Sequence, residues 1–473
     1  MDDARRHDRL NRFSEAEVRH RLFAYTVDGW SAWRVARNMT YYAAADLPLA
    51  APAQSTASRI LAAIGASARL ALCLIRGRRV DLIVKTARSA LRMQVGDRHR
   101  DVYFDGLLEG RSHLKMEEIN TRDFDRQARR AMFPSHLDPV VFTFWGKVLG
   151  RVLPAPAIDF ARTTAAALKD EVDLHISADA LLQRVSTAYW QGRLYGLLLW
   201  RTRPKAVLVS DTGDYGLMIA CAKAKVPVVE LQHGIFDAGH PDAVPDEAPG
   251  TDRQLLIPDA LASRGVYWTA ALSGTRHGCV SVPVGNELVD HAVEQRRLWV
   301  ADRIARGDDA CVLVVTSQGL DSTRLAKWLI DMMATAPQTM QVRLLVKLHP
   351  VYDVGGSAFD ELASDPRVSI VPGNAAGNVF ELLARADVHL SIASACHFDA
   401  IAIGVPSIAI PLSGHEIILD AVDGESLILA GAPGDVWKQP FRAPPVERSR
   451  AFAEPGFVEN MNRLVGRLAN KGA

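Results

Sequence analysis

Apolar and polar positions along this chain alternate between short continuous runs and longer stretches with a 3.6-residue period. Residues 206–209 are a short apolar run, 217–225 a helical period, and 226–231 a second, β-branched run that ends abruptly in Gln232-His233-Gly234. This is one βαβ unit with parallel strands, so the loops after both strands share one edge of a sheet. Pro227 stands near the start of its strand, where proline is tolerated. The alternation resumes at Cys311, with strands over 312–315, 342–348, 368–371, 388–391 and 407–410 and helices over 323–334, 379–384 and 398–403. Runs this continuously apolar are strands buried on both faces. The pattern predicts an α/β protein with two doubly wound halves.

Helical periods dominate the earlier chain. One covers 14–45, with Ser14 and Glu17 at capping-box spacing and Trp30, Trp33, Ala36 and Tyr41 roughly on one face. Others cover 57–75, 139–152, 158–168 and 178–201, and short strands are expected at 80–86 and 114–119. Asp105 and Gly106 read as loop, 280–284 as a strand, and 455–469 as an amphipathic helix placed to cross back onto the first half. The expected division is a first domain over 1–272 with a helical N-terminal extension, a second over 273–445, and a C-terminal helix over 446–473.

The chain has 473 residues, of which 48% are apolar, enough for more than one core. Its 55 basic and 54 acidic residues leave a formal charge of +1, without the electrostatic footprint of a nucleic-acid binder. Locally the balance is uneven: between Arg59 and Arg100 ten basic residues stand against Asp81 and Asp97. A basic patch beside an apolar helix fits an anionic membrane surface; it equally fits a solvated helix face. The most apolar helical period, 60–75, carries Arg69 in its middle and is shorter than the ~20 residues of a membrane span. Five scattered cysteines without CxxC spacing suit a reducing compartment. With a charged N-terminus that lacks the apolar core of a signal peptide, the expected location is cytoplasmic, with peripheral contact on the inner face of the membrane.

Two strand-to-helix turns in the second half are small and hydroxyl-rich, Thr316-Ser317-Gln318-Gly319 and Ser391-Ile392-Ala393-Ser394. Amide N–H groups at a helix start favour a phosphate, although neither turn is a Walker loop or GxGxxG. His349 lies between a buried strand and Pro350, whose ring biases it toward extended backbone. An imidazole N–H there, aimed at a phosphate, would stabilise a leaving group; the alternative is a strand-end histidine bonded to a backbone carbonyl. His233 is a candidate general base for an attacking hydroxyl, with Asp105 and Asp214 as rivals. His240, His397 and His415 are further candidates, His397 also as a helix cap. No HExxH occurs, and Asp123-Phe124-Asp125 has DxD spacing but no strand leading into it. Neither a metal nor a cofactor is expected.

With these residues in place, the chain resembles GT-B glycosyltransferases, in particular the bacterial capsule and lipopolysaccharide branch that includes polysialyltransferase-like and teichoic-acid-polymerase-like enzymes. The matching pieces are Trp33-Arg34-Val35-Ala36-Arg37, Asp101-Val102-Tyr103-Phe104-Asp105-Gly106, Glu230-Leu231-Gln232-His233-Gly234, Gly265-Val266-Tyr267-Trp268, Val284-Gly285-Asn286, Lys347-Leu348-His349-Pro350 and the 391–406 block. The resemblance implies two facing Rossmann-like domains, with acceptor on the first and nucleotide-activated donor on the second, and metal-free inversion by single displacement. It implies that His349 of the His-Pro motif binds the donor phosphate, that Ser391 and Ser394 match a serine-rich donor loop, and that Asp399 stands where many such proteins have a ribose-binding glutamate; Pro350 and the Ser317 and Gln318 turn join them as donor-side candidates. His233 matches the teichoic-acid-type histidine, with Leu231-Gln232 before it instead of an aromatic residue. Of the acidic pair that polysialyltransferases use as base, Asp105-Gly106 remains. The order of candidate bases is His233, Asp105, Asp214.

The function this implies is transfer of a sugar from a nucleotide donor, CMP or CDP type favoured, to a surface glycan or lipid-linked glycan acceptor. Two other readings are a GT-B-fold UDP-sugar 2-epimerase and an inactive GT-B-like nucleotide-binding or scaffold protein.

Overall fold

In a computed structural model the chain is described over residues 3–46, 56–86, 92–117, 131–152, 155–210, 213–232, 234–319, 321–350, 352–353, 356–373 and 378–471. Candidate His233 and the Asp123-Phe124-Asp125 stretch lie outside the described residues. The first sheet contains β1 (Leu82–Thr86), β2 (His113–Glu117), β3 (Ala206–Val209), β4 (Val228–Leu231), β5 (Ala260–Ser263) and β6 (Ser281–Pro283), in the order β6-β5-β4-β3-β1-β2. The second contains β7 (Cys311–Thr316), β8 (Val342–Lys347), β9 (Val368–Val371), β10 (Val388–Ser391), β11 (Ser407–Ala409) and β12 (Leu427–Leu429), in the order β9-β8-β7-β10-β11-β12. Every pairing in both is parallel. These are two parallel, doubly wound α/β sheets, with added N-terminal helices. Because β6 pairs with β5, the change from one sheet to the other falls between Pro283 and Cys311, later than a division at residue 272.

The helices include α1 (Asp3–Arg19), α2 (Ala32–Ala44), α3 (Thr56–Arg76), α4 (Asp105–Leu108), α5 (Val140–Leu149), α6 (Ala155–Val172), α7 (Ala178–Thr202), α8 (Tyr215–Ala224), α9 (Val266–Ala271), α10 (Glu287–Arg306), α11 (Ser322–Ala334), α12 (Cys396–Ile403), α13 (Val446–Phe452) and α14 (Phe457–Lys471). The helix expected over 14–45 is two helices. Positive φ at Arg21, Asp28 and Gly29 breaks it, and Ser14 lies inside α1 with its hydroxyl donating to the Leu10 carbonyl (3.2 Å). The cap is Ser31, at the start of α2. Asp105 opens the single turn α4 and is not in a loop. Strand β5 has small, weakly β-forming residues, Ala-Leu-Ala-Ser, and its pattern does not announce it.

Strand alternation divides the first core in two. Ile83, Val207 and Val209 pack under the N-terminal helices, whereas Leu82, Val84, Leu208 and Ala262 meet Phe457, Met461, Leu464 and Val465 of α14. The i, i+4, i+7, i+8 stripe of that helix covers this sheet face. The chain leading into it explains two glycine-bearing motifs. A Cβ on Gly265 would stand 2.2 Å from the Ala451 carbonyl oxygen, and one on Gly285 2.0 Å from that of Glu454. Trp268 Nε1 donates to the Phe452 carbonyl at 3.1 Å. These motifs seat the returning chain, and no larger residue fits there. Among the described residues no helix is long and apolar enough to cross a membrane.

Candidate functional site

In an open parallel sheet the ligand crevice opens at the carboxyl ends of the strands, where strand order reverses. In the second sheet that point lies between β7 and β10, whose ends carry Thr316 and Ser391. Both hydroxyl-rich turns thus stand at that switch point. They are tied together: Gln318 Oε1 accepts from the Ala393 N–H (2.8 Å), and Ser391 Oγ donates to the Thr316 carbonyl (2.7 Å). Ser391 is fully buried, so its hydroxyl joins two strand ends rather than facing the crevice. Ser394 Oγ accepts from the Cys396 N–H at 3.2 Å, at the opening of α12.

His349 follows β8, half-buried, with exposed Pro350 behind it. Its backbone N–H donates to Ser317 Oγ (2.9 Å), its Nδ1 accepts from the Tyr352 N–H (3.2 Å), and its ring stacks on Tyr352 with centroids 4.6 Å apart. Nδ1 is thereby fixed as an acceptor, and in the neutral ring the proton sits on Nε2. Burial holds this imidazole below its usual range, although Asp353 opposes the shift. Asp353 gave no sequence signal, yet it organises the turn. It accepts from the Ser317 hydroxyl, from the Gly319 N–H (2.8 Å) and from the Ser322 hydroxyl (2.6 Å). Lys347 bonds the Pro372 and Gly373 carbonyls at 2.6 and 3.0 Å and so braces a loop.

Beneath the turns lies a buried polar chain. His389 meets Thr316 Oγ1 through Nε2 (2.9 Å) and Ser407 Oγ through Nδ1 (2.7 Å), and Ser407 Oγ also meets His397 Nδ1 (2.6 Å). Burial drives both imidazoles down, that of His397 to about 3. His397 is therefore a neutral, buried brace rather than a titrating group near pH 7.

The first domain supplies the facing edge. Gln232 ends β4, and its Oε1 accepts from the Arg264 N–H at 2.9 Å. Arg264, just past β5, reaches into the second domain and donates to Asp399 of α12 at 2.7 Å. Burial raises the Asp399 carboxyl and Arg264 counters it. The ribose-binding candidate is thus held by an arginine that no motif singled out. The rival bases are likewise engaged. Asp105 is buried against Lys115 (2.5 Å), with burial raising its carboxyl and Lys115 opposing. Asp214 caps α8 through the Leu217 N–H (3.3 Å) and pairs with Lys85 (2.5 Å) where the first sheet reverses.

The loop after Gln232 is gripped from below by α2. Arg37 donates to the Pro241 and Ala243 carbonyls (2.5 and 2.9 Å) and pairs with Glu17. Arg34 donates to Tyr215 and Asp242 at 2.9 and 3.0 Å, Asn38 donates to Asp242 at 2.7 Å, and the Tyr215 hydroxyl also donates to Asp242. The Trp33-Arg34-Val35-Ala36-Arg37 motif acts here, as the scaffold of the 234–243 loop.

Glu287, first residue of α10, pairs with Arg100. Burial pushes its carboxyl up to about 7; Arg100 opposes this, while Asp101 and Asp105 add to it. Its Oε2 is buried without a hydrogen bond, which suits a protonated acid. Between 4.5 and about 7 the folded chain keeps a proton that the unfolded chain releases, so stability falls as pH rises through that window. Glu287→Gln is expected to remove about 3 kcal/mol of that pH dependence. Urea midpoints at pH 5 and 8 with the same slope in both proteins would refute it.

No protein-family model matches the chain, and no curated protein matches it in sequence. Among solved structures it is similar to the UDP-GlcNAc 2-epimerase of Methanocaldococcus jannaschii, at 12% identity and TM-score 0.49, over 82% of this chain and 99% of that one. It is also similar to the wall teichoic acid polymerase TagF, at 11% identity and TM-score 0.47, over 88% and 99%. A third is the UDP-GlcNAc 2-epimerase of Neisseria meningitidis, at 13% identity and TM-score 0.48, over 82% and 99%.

Proposed function

We propose that the chain is an inverting glycosyltransferase that moves a sugar from a nucleotide-activated donor, cytidine type favoured, to a bacterial surface glycan or a lipid-linked glycan. The observation that carries this reading is one connected series of contacts across two carboxyl sheet edges. It runs from His349 through Ser317 and Gln318 to Ala393, along α12 to Asp399, and through Arg264 to Gln232. In this reading the His349 Nε2–H and the Ser317 and Ser394 turns hold the donor phosphate. His233 takes the proton of the acceptor hydroxyl as its oxygen attacks the anomeric carbon. The carbon–oxygen bond to phosphate breaks, and the nucleotide leaves with the electron pair, its new charge stabilised by the His349 N–H. The reaction class requires only two substrates, and nucleic acid has no part in it.

A 2-epimerase moves a proton with carboxylates, and Asp105, Asp214 and Asp399 are each tied to a cation. Nucleotide binding without turnover is the second reading, favoured by the hold of Arg264 on Asp399. A thermal-shift panel of CMP, CDP, UDP, GDP and dTDP tests both. One nucleotide, expected to carry cytosine, should raise the melting temperature, and its sugar donor should be consumed. Binding without consumption of any donor supports the second reading, and binding of none refutes both.

A further inference from the structure

Arg264 is a node at which distant parts of the chain meet. Its guanidinium donates to Asp399 of α12 at 2.7 Å. Its backbone N–H donates to Gln232 Oε1 at 2.9 Å, and Gln232 Nε2 donates in turn to the Gly234 carbonyl at 3.1 Å. One side chain thus spans the position of His233. The Arg264 carbonyl accepts two N–H groups, that of Gly285 at 2.9 Å and that of Glu454 at 2.8 Å, and so uses both lone pairs.

Those two amides lie on the two passages of the chain between the sheets. Gly285 stands between β6 and α10, whose Leu288, Val289 and Ala292 pack in the core around the second sheet. Glu454 stands between α13, whose Phe452 lies in that same core, and α14, which covers the first sheet. The passages are also bound to each other. Asp290 accepts from the Gly456 and Phe457 N–H groups (3.1 and 2.8 Å), and Asn460 Nδ2 donates to the Val284 carbonyl (3.2 Å). Each passage contains a glycine at positive φ, Gly285 at 96° and Gly456 at 86°. Together they form one joint with the backbone freedom that a hinge needs.

Beside the joint, Phe398 of α12 packs on Trp268 and Phe452, with ring centroids 4.9 and 5.2 Å away. Apolar contact is non-directional and holds a distance better than an angle. The pair of Arg264 with Asp399 is directional. Its side chains are 14% and 8% exposed, and Arg264 Nε is buried without a hydrogen bond. An incompletely satisfied buried pair adds little net stability, so geometry is what it contributes.

We infer that Arg264 is a positioning residue. Tied by its backbone to both passages and to Gln232, it fixes through Asp399 the angle of α12, and with it the turn at Ser394, relative to the 232–234 segment. The inference rests on the transferase reading, in which that turn holds the donor phosphate and that segment supplies the base.

Arg264→Met keeps the backbone bonds and the reach of the side chain but removes its charge, whereas Arg264→Lys keeps the buried charge paired. In the full chain, turnover of the donor found in the nucleotide panel is expected to fall about tenfold or more for Arg264→Met. Arg264→Lys, whose ammonium does not reproduce the planar fork, should lose about threefold or more. Calorimetric affinity for the matching nucleotide should stay within about threefold in both, because the lost group holds an angle and not the ligand. Without any substrate, amide exchange over 284–286 and 453–456 should be about tenfold faster in Arg264→Met, with β3 and β4 unchanged. Equal losses of turnover and affinity would make Arg264 a ligand contact and overturn the inference. Parent-like turnover, or parent-like exchange at both passages, overturns it as well. Should Arg264→Met not fold, Arg264→Lys decides on the same measurements. If the parent chain binds no nucleotide the transferase reading fails, and the exchange result alone decides whether Arg264 sets the joint.

Discussion

Asp242→Ala is expected to destabilise the chain by about 3–5 kcal/mol, the loss seen when one partner of a buried ion pair is removed. Asp242 is fully buried and accepts from Arg34, Tyr215 and Asn38. Burial alone would raise its carboxyl, but the Arg34 guanidinium and the Tyr215 hydroxyl hold it well below the usual carboxylate range. Without it, Arg34, only 2% exposed, keeps its charge in the interior with its closest counter-charge gone. Asp242→Asn should recover little, because it restores shape without charge. The contribution is present above the unfolded carboxylate pKa of 3.8 and is lost as pH falls toward the depressed folded value. The penalty measured in urea at pH 7 should therefore shrink in acid. A loss below about 1 kcal/mol, as for an exposed pair, would show that the network does not hold the 234–243 loop.

His349→Ala is expected to cost about 10²–10³-fold in turnover, the range for removing one donor to a developing anion. Nucleotide affinity should fall with it. The fold should tolerate the change, since the ring is half-buried and packs on an exposed tyrosine. Release of nucleotide from the donor found in the panel is the rate measurement, and calorimetry is the affinity measurement. His233→Ala run in parallel should lose about two to four orders in rate with affinity kept, as befits a base. If His349→Ala changes neither rate nor affinity, the donor phosphate lies elsewhere.

The sequence and the tertiary structure contribute differently to this account. The doubly wound halves were legible because a buried parallel strand is an apolar run of a certain length, a local property. The crevice turns were legible too, since each is a strand end followed by small polar residues. His349 could be assigned to an edge from its neighbours alone. The partners of these groups were not legible. Ser391, Asp399, Asp105 and Asp214 look in the sequence like free polar groups beside a cleft. Their partners are Thr316, Arg264, Lys115 and Lys85, between 10 and 135 residues away. Composition and periodicity carry no record of such pairings.

By itself the sequence determined most strands and helices of the two doubly wound halves, the strand ends that carry polar turns, and the acid-free stretch that makes α3 basic and apolar. Only the tertiary structure decided that Trp33-Arg34-Val35-Ala36-Arg37 is a scaffold for the 234–243 loop, that Gly265 and Gly285 seat a returning chain, and that Arg264 joins the two edges. The reason is physical. Periodicity is set by each residue's own backbone geometry, whereas the state of a polar side chain is set by whichever distant group is buried with it.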